Sequence, residues 1–291
     1  MITHPNVKIN LGLNVLRKRE DGFHDLETLF VPYFDIWDTL EIVSDTEAET
    51  LPALCGKYGD PAEAYGASNA SDAPVPFVKA EEEKLKIYIA RKEGVDWNPL
   101  ADLCAKAYRL LDADFGLPPV VIVLEKTSPV GAGLGGGSSD AAFCLAMLNE
   151  IFSIGLDKPT LASYASKLGS DCAFFIYNSP MLGCGRGEIL TPFDLDLSDF
   201  ELKVVTPEGI AVSTAEAYRG IVPAIPEIPL TDVLNRPVKQ WKDLLVNDFE
   251  KTVFAAHPEL AAVKQSLYDS GAVYASMSGS GSALFAIYKE F

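Results

Sequence analysis

The stretch PVGAGLGGGSSDAA, residues 129–142, carries the strongest structural signal in the chain. Five glycines stand between Gly131 and Gly137, and a short β-branched run at 119–124 comes just before the stretch. A helix is predicted to follow, to about Phe152. Glycines permit tight turns that bring backbone N–H groups against an anion, and the N-terminus of a helix adds a positive end. The stretch therefore predicts a phosphate-binding loop between a buried strand and a helix.

Three other interpretations of the glycines fit less well. The pattern G-x-G-x-x-G occurs at 131–136, but a dinucleotide fold needs an acidic residue about 20 positions on, at the end of a second strand. Asp157 stands there and follows Phe-Ser-Ile-Gly, which is too short for a strand. No G-x-x-x-x-G-K-[ST] motif occurs, which excludes a P-loop. A flexible linker is disfavoured because a strand and a helix directly flank the glycines.

The composition is that of a globular protein with a strong negative charge. The chain has 291 residues, of which 48% are hydrophobic and 22% charged, and a net charge of −17. This hydrophobic content supports a sizeable core. The acidity argues against a nucleic-acid backbone or an anionic membrane as main partner, because both require a basic face. Small anionic substrates remain possible, since they need only a local cluster of donors.

Several features predict a cytoplasmic protein. No apolar run approaches the ~20 residues of a membrane-spanning helix, and the N-terminus lacks the pattern of a signal peptide. The five cysteines are odd in number, widely spaced and without a CxxC pair, as expected in a reducing compartment. The three histidines, at positions 4, 24 and 257, are too scattered for a histidine-rich metal centre.

The pattern of hydrophobic residues predicts a mixture of strands and helices. Residues 7–15 alternate, which is typical of a half-buried strand, and the Asp-Gly at the end of 17–22 indicates a hairpin turn. Further strands are predicted at 26–43 (two or more), 119–124, 172–177, 202–206, 273–277 and 284–288. Helices are predicted at 101–111, 160–168, 214–218, 241–256 and 259–270.

The order of these elements predicts an α+β fold, because the strands and helices do not alternate as in a doubly wound sheet. A boundary near 155–160 would divide the chain into parts of ordinary size, 1–157 and 158–291. Residues 45–83 are rich in Ala, Glu, Pro, Gly, Ser and Asp and show little periodicity. We expect them to be an insertion that lies on the surface.

Three motifs in order resemble those of the GHMP (galactokinase, homoserine, mevalonate, phosphomevalonate) kinase superfamily. The glycine loop is similar to its second motif, VKINLGLNV (7–15) to its first, and ASMSGSGSALFAIY (275–288) to its third. The resemblance implies a ribosomal-S5-like N-terminal half and a ferredoxin-like C-terminal half. It also implies ATP bound at the glycine loop and a small-molecule substrate between the halves.

The block DGFHDLETLF (21–30) resembles one branch of the superfamily in particular. That branch transfers the γ-phosphoryl group of ATP, with Mg²⁺, to the 2-hydroxyl of 4-diphosphocytidyl-2-C-methyl-D-erythritol in non-mevalonate isoprenoid biosynthesis. The blocks at 103–111, 168–175 and 185–190 agree with it. Another superfamily kinase for a sugar, homoserine or mevalonate is one alternative. A catalytically silent ligand-binding member is the other, although both catalytic positions of the superfamily are filled.

The resemblance implies a role for each site residue. Asp171 matches the general base of an L-G-x-D block, and Lys8 matches the lysine beside the reacting hydroxyl. On its position alone, Lys8 would be a solvated lysine on an alternating strand. Asn10, Phe23, His24 and Tyr177 are the implied substrate contacts.

The implied ATP contacts are Pro129, Val130, Gly131, Ala132, Gly133, Leu134, Gly135, Gly136, Gly137, Ser138 and Ser139 in the loop, with Leu103 and Lys126 for adenine. Asp102 stands where asparagine is usual, which weakens the adenine assignment because a carboxylate lacks the amide's donor. Leu182 takes the place of a second aromatic against cytosine. Asp140 replaces what is often asparagine, and the magnesium ligands stay open.

Overall fold

The computed structural model describes residues 1–44, 46–63 and 74–290. Its strands are β1 (Ile2–Thr3), β2 (Asn6–Lys18), β3 (His24–Trp37), β4 (Thr39–Val43), β5 (Ala62–Glu63), β6 (Val75–Glu82), β7 (Leu85–Val95), β8 (Val120–Lys126), β9 (Met181–Cys184), β10 (Ile189–Pro192), β11 (Phe200–Val205), β12 (Tyr274–Met277) and β13 (Leu284–Lys289). Its α-helices are α1 (Leu51–Tyr58), α2 (Leu103–Phe115), α3 (Gly136–Ile151), α4 (Lys158–Ser166), α5 (Cys172–Tyr177), α6 (Thr214–Tyr218), α7 (Leu230–Leu234), α8 (Phe249–Ala256) and α9 (Pro258–Asp269). Short 3₁₀ helices span Pro99–Ala101 and Val238–Asp243.

The chain forms two compact units, each discontinuous in sequence. The first contains Met1–Val7, Phe34–Ser128 and Gly136–Tyr177. The second contains Lys8–Tyr33, Pro129–Gly135 and Asn178–Phe291. The predicted boundary between residues 157 and 158 falls inside the first unit, and the division into family domains 1–157 and 158–291 stays a prediction.

The first unit is built on a six-stranded sheet in the order β1-β4-β8-β7-β6-β5. Strands β7 and β8 are parallel and are connected through α2, whereas β4 and β8 are antiparallel. Helix α3 follows β8 after the glycine loop and packs on α2, α4 and α5. Its buried side chains are almost all small or apolar, as expected of a helix that is covered on most sides.

The second unit holds two smaller sheets, in the orders β10-β9-β3-β2 and β11-β13-β12. Residues from β2, β12 and β13 share a hydrophobic core with α8 and α9. Among the described residues, no helix is both long enough and apolar enough to cross a membrane.

Two of the predicted elements are wrong. Residues 172–177 form helix α5 instead of a strand, because a short apolar run that is buried throughout has no period that separates the two. The helix predicted at 241–256 is interrupted. Around Asn247 the backbone is extended and pairs with Leu13 of β2, so that α8 begins only at Phe249.

The half-buried strand predicted at 7–15 is in fact buried on both faces. Every residue of β2 from Asn6 to Val15 is buried, including the polar Lys8, Asn10 and Asn14. The alternation of apolar and polar residues along β2 therefore distinguishes an apolar face from a polar face, and both faces are buried. The polar face must be hydrogen-bonded to be stable.

The expectation of a surface segment at 45–83 is also wrong for the residues that the structure describes. Strand β6 pairs with β7 over most of its length, and α1 packs on β7. Leu54 and Phe77 lie in a buried hydrophobic cluster with Val123 of β8. The stretch 64–73 lies outside the described residues. The sequence did not reveal this contribution because only three residues of β6 are buried and both of its ends are exposed.

Replacing Phe77 by alanine should destabilise the protein strongly. Phe77 is 1% exposed, and its loss leaves a cavity that costs about 3–5 kcal/mol. The control is Val75→Ala, at a position 39% exposed in the same strand, where a change within about 0.5 kcal/mol is expected. Urea unfolding measures both. Equal, small effects would show that β6 is dispensable after all.

Candidate active site

The glycine loop connects β8 to α3, and close approach explains its glycines at two positions. Gly133 has φ of +78°, and a Cβ there would collide with the carbonyl oxygen of Ser278. A Cβ on Gly136 would collide with Ser128 Oγ and would lie 3.4 Å from Lys126 Nζ. Helix α3 begins at Gly136 with no intervening spacer. The loop thus presents its backbone at the N-terminus of a sixteen-residue helix.

Lys8 lies against the middle of this loop. Its Nζ donates to the carbonyl oxygen of Gly133 at 2.8 Å and to Asn10 Oδ1 at 2.5 Å. Its backbone N donates to Leu134 O at 2.9 Å, and its ammonium lies 5.5 Å from the centroid of the Phe30 ring. With 2% exposure, Lys8 is a buried cation held at the loop and not the solvated lysine that its strand position alone predicts.

Asn10 connects the same strand to the third motif. Its backbone N donates to Ser278 Oγ at 3.2 Å, and its Nδ2 donates to Thr28 Oγ1 at 3.1 Å. Ser278 Oγ in turn donates to Gly133 O at 3.1 Å. Asn247 Nδ2 donates to the carbonyl oxygens of Met277 and Gly279, both at 2.8 Å. Within the second unit, all three motifs are therefore hydrogen-bonded together.

Asp171 belongs to the first unit and stands one residue before α5. It is half-buried, and Ser170 Oγ lies 3.3 Å from its Oδ1. Because residues 172–177 are a helix, Asp171 is at the start of a helix and not at the entry to a strand. Its role as a base stays a prediction.

Lys126 is buried between two carboxylates in the first unit. Its Nζ forms ion pairs with Asp38 and, at 2.5 Å, with Asp140, and it lies 3.3 Å from Ser128 Oγ. Asp38 also accepts hydrogen bonds from the backbone N of Thr127 and of Ser128, both at 2.7 Å. All the hydrogen-bonding capacity of the ammonium is therefore directed to oxygens of the chain. A contact of Lys126 with adenine stays a prediction.

The other residues predicted at the adenine end lie at the start of α2. Leu103 is the first residue of the helix and is half-buried. Asp102 is the N-cap, because its Oδ1 accepts from the backbone N of Cys104 at 2.8 Å, and its Oδ2 accepts from Trp97 Nε1 at 3.1 Å. Asp102 thus accepts hydrogen bonds through both carboxylate oxygens, whereas an amide at this position has only one acceptor oxygen.

Phe23 and His24 follow the predicted hairpin turn, and each already carries a neighbour on its ring. Phe23 is 54% exposed, and the guanidinium of Arg186 lies over its face at 4.9 Å from the centroid. The ring of His24 stacks on Tyr218, with centroids 4.7 Å apart and planes at 19°. Burial lowers the pKa of His24, and the charge of Lys18 lowers it further. The imidazole is therefore neutral at neutral pH, with one donor and one acceptor for a base edge.

Comparison with known proteins agrees with these motifs. Residues 102–179 match the GHMP kinases N terminal domain, and residues 230–291 match the GHMP kinases C terminal domain. The chain is 42% identical over its full length to a 4-diphosphocytidyl-2-C-methyl-D-erythritol kinase of Azobacteroides pseudotrichonymphae, covering 94% of that protein. It is 43% identical to one of Bacteroides thetaiotaomicron, over 99% of this chain and 92% of the other. The chain belongs to the 4-diphosphocytidyl-2-C-methyl-D-erythritol kinase family of the GHMP kinases.

A solved structure of a 4-(cytidine 5'-diphospho)-2C-methyl-D-erythritol kinase superposes with a TM-score of 0.72 at 29% identity, over 98% of this chain and 89% of the other. The expected α+β, two-domain GHMP kinase architecture is thereby confirmed, with its ribosomal-S5-like and ferredoxin-like halves. The matched stretches 102–179 and 230–291 include the glycine loop and the third motif, respectively.

The sequence analysis singled out the loop and Lys8 but missed the residues that support them structurally. Asn247 and Glu250 hold the third motif from the side of α8. Glu250 Oε1 accepts from Met277 N at 2.9 Å, and Lys264 donates to Oε2 at 2.6 Å. Asp38 and Arg186 were also missed. Asp38, Asn247 and Glu250 stand outside the motifs, each as a polar residue beside an apolar run, whereas Arg186 lies inside the block 185–190. Tyr177 lies in α5 of the first unit and Leu182 in β9 of the second, and both remain open as contacts of cytosine.

The two carboxylates around Lys126 differ in their proton affinity. Burial alone would raise the pKa of Asp38, but the Lys126 ammonium and the donors of Ser128 outweigh it and hold the pKa below its ordinary value. Burial raises the pKa of Asp140 well above its ordinary value, because Lys126 offsets the burial only in part. Asp140 Oδ1 has no hydrogen-bond partner. Asp140 is therefore the group that takes up a proton in this cluster.

Asp140→Asn should make the protein less sensitive to rising pH. A carboxyl whose pKa is raised by folding binds protons more tightly in the folded state, so stability falls as pH rises from about 3.8 through the folded-state pKa. The asparagine side chain does not ionise, so the variant should not lose stability in this way as pH rises. Urea unfolding between about pH 5 and about pH 8 should show a smaller decline for the variant.

The control for this measurement is Asp157→Asn. Asp157 is exposed, and hydrogen bonds from Thr160 lower its pKa. Its contribution to stability is present above the unfolded pKa and lost as pH falls, which is the opposite sign. If Asp140→Asn and the wild type decline in parallel, Asp140 is ionised throughout and the assignment is wrong.

Proposed function

We propose that this chain transfers the γ-phosphoryl group of ATP to the 2-hydroxyl of 4-diphosphocytidyl-2-C-methyl-D-erythritol. The observation that carries the proposal is its full-length similarity to kinases named for that substrate. The glycine loop supports it independently, because it presents backbone N–H groups at the start of a long helix. The five cysteines are free, which supports the cytoplasm as the compartment of the reaction.

The loop and Lys8 account for the donor side of the reaction. Phosphoryl transfer depends mainly on positioning and on stabilising the charge of the transferred group. The backbone of residues 129–139 would cradle the phosphates. Lys8 is held at the Gly133 carbonyl in a chain with few cations, and places a buried positive charge beside the loop.

We assign Asp171 as the general base for the 2-hydroxyl. A half-buried carboxylate can accept the hydroxyl proton as the phosphorus–oxygen bond forms. Lys8 would stabilise the negative charge that develops on the substrate oxygen.

The residues at the loop also fit Mg²⁺, which prefers oxygen ligands and retains waters and substrate phosphates. Ser139 Oγ and Asp140 Oδ1 are the buried side-chain oxygens of the described residues that lack a hydrogen-bond partner. These two residues would hold the ion. When bound, Mg²⁺ would neutralise charge on the phosphate oxygens.

We assign Phe23 and His24 to the cytosine, with Asn10 and Tyr177 as further substrate contacts. An exposed aromatic face and a neutral imidazole supply the stacking surface and the hydrogen bonds that a nucleobase requires. The Arg186 guanidinium already lies on the face of Phe23 and can stack on a base in the same way.

The proposed function is tested by turnover of the cytidyl substrate with ATP. Mevalonate and homoserine serve as comparison acceptors. Asp171→Asn should lower turnover by about two to four orders of magnitude, the usual contribution of a positioned base, and should leave ATP binding largely intact. Turnover of homoserine or mevalonate in preference to the cytidyl compound contradicts the substrate. Near-wild-type turnover by Asp171→Asn contradicts the base.

Substitution at Phe23 tests the specificity site. Phe23→Ala removes a stacking face worth roughly 1–3 kcal/mol, which corresponds to a loss of about one to two orders of magnitude in kcat/KM for the cytidyl substrate. His24→Ala should weaken discrimination between cytidine and uridine compounds. The control is Phe34→Ala, at an aromatic residue of β3 that is 60% exposed. If the Phe23 and His24 variants raise KM for ATP alone, the two pockets are assigned in reverse.

A further inference from the structure

Asp38 fixes the backbone where the chain enters the glycine loop. It follows β3, is fully buried, and accepts from the backbone N of Thr127 and Ser128 through Oδ1. Ser128 Oγ donates to its Oδ2 at 2.7 Å. Ser128 is the last residue before the loop starts at Pro129. A single carboxylate therefore holds two successive backbone positions at the entry.

Lys126 connects this entry point to the exit of the loop. Its ammonium pairs with Asp38 Oδ2 and also with Asp140 Oδ2, which lies in the first turns of α3. Gly136, where α3 begins, packs so closely on Ser128 that a Cβ would not fit. The two ends of the loop are thus fastened to one buried lysine, although Asp38 is 88 residues away from it in sequence.

Stability alone does not explain such a cluster. Well-packed apolar residues often replace a buried ion pair at no loss of stability, whereas the geometry of hydrogen-bonded charges is strict. A loop that binds phosphate through its backbone needs its N–H groups held in place before the ligand arrives.

We propose that Asp38, Lys126 and Asp140 form a loop brace, in which Asp38 and Lys126 are positioning residues that hold the glycine loop ready for the phosphates of ATP. This inference rests on the proposed function only in that the loop binds ATP. The brace assigns Lys126 a role other than contact with adenine, because its ammonium holds the loop in position and the loop binds the nucleotide. The brace predicts that its variants lose nucleotide affinity before they lose the fold.

The test compares Asp38→Asn with Glu41→Gln, a matched control three residues further along the chain, in β4. Glu41 is 1% exposed and, like Asp38, accepts from two backbone N–H groups and a hydroxyl, those of Glu49 and Thr50. It fastens the start of α1 and not the loop. The dissociation constant of ADP is measured by calorimetry with Mg²⁺ and again with EDTA, and stability is measured by thermal unfolding.

We expect both substitutions to lower the melting temperature, because each leaves buried donors unsatisfied. Only Asp38→Asn should weaken ADP binding, by roughly tenfold or more, since misplacement of a binding group is costly. KM for the cytidyl substrate should change little. Equal ADP affinity in Asp38→Asn and Glu41→Gln overturns the brace.

Two variants at Asp140 test the brace without leaving the Lys126 ammonium unpaired, because Asp38 still pairs with it. Asp140→Leu leaves the Lys126–Asp38 pair balanced but releases α3, whereas Asp140→Asn keeps an oxygen that can accept from Lys126. The leucine variant should bind ADP more weakly than the asparagine variant, in EDTA as well as in Mg²⁺. A difference seen only with Mg²⁺ shows that Asp140 acts on ADP binding through the metal alone, which overturns its place in the brace. Wild-type protein that binds no ADP overturns the proposed function itself.

Discussion

A lysine ammonium that is removed from water must be paired, and in this chain that requirement shapes the glycine loop. Lys126 is 5% exposed at the end of β8, and its three donors all point to oxygens of the chain. Loss of both carboxylates would leave an unpaired buried charge, which burial penalises. Asp38, at the junction of β3 and β4, is therefore hydrogen-bonded to the residues that enter the glycine loop. Lys126 also pairs with Asp140, which fixes the first turns of α3 to the same cluster.

The same principle operates on strand β2. Its apolar face fills the core, and its polar face carries Lys8 and Asn10, which would be expensive to bury without partners. The partners come from the loop and from the third motif, through the Gly133 carbonyl and the Ser278 hydroxyl. Gly133 can supply its carbonyl only because it has no Cβ to collide with Ser278. The burial of Lys8 thus depends on its hydrogen bond to Gly133, and that bond depends on the absence of a side chain at Gly133.

Asp38 and Asp140 differ in their chemical properties because their environments differ. Asp38 receives donors on both oxygens and stays ionised, whereas Asp140 keeps one oxygen without a partner and has a raised pKa. The pKa values of the two aspartates around this lysine are therefore shifted in opposite directions. The cluster can hold the loop through Asp38 and still present an oxygen of Asp140 near the start of α3.

The sequence by itself determined the glycine loop, its strand and helix, the three motifs and the family. Each of these is written in consecutive residues, as a local pattern of glycine, serine or alternating hydrophobicity. It did not determine whether β2 was covered on one face or two, or that β6 belongs to the sheet, or that 172–177 is a helix. Nor did it determine that Asp38, Asn247 and Glu250 hold the motifs. These features were decided by the tertiary structure, because burial on a second face, and the pairing of a charge with a residue 88 positions away, depend on which segments pack together.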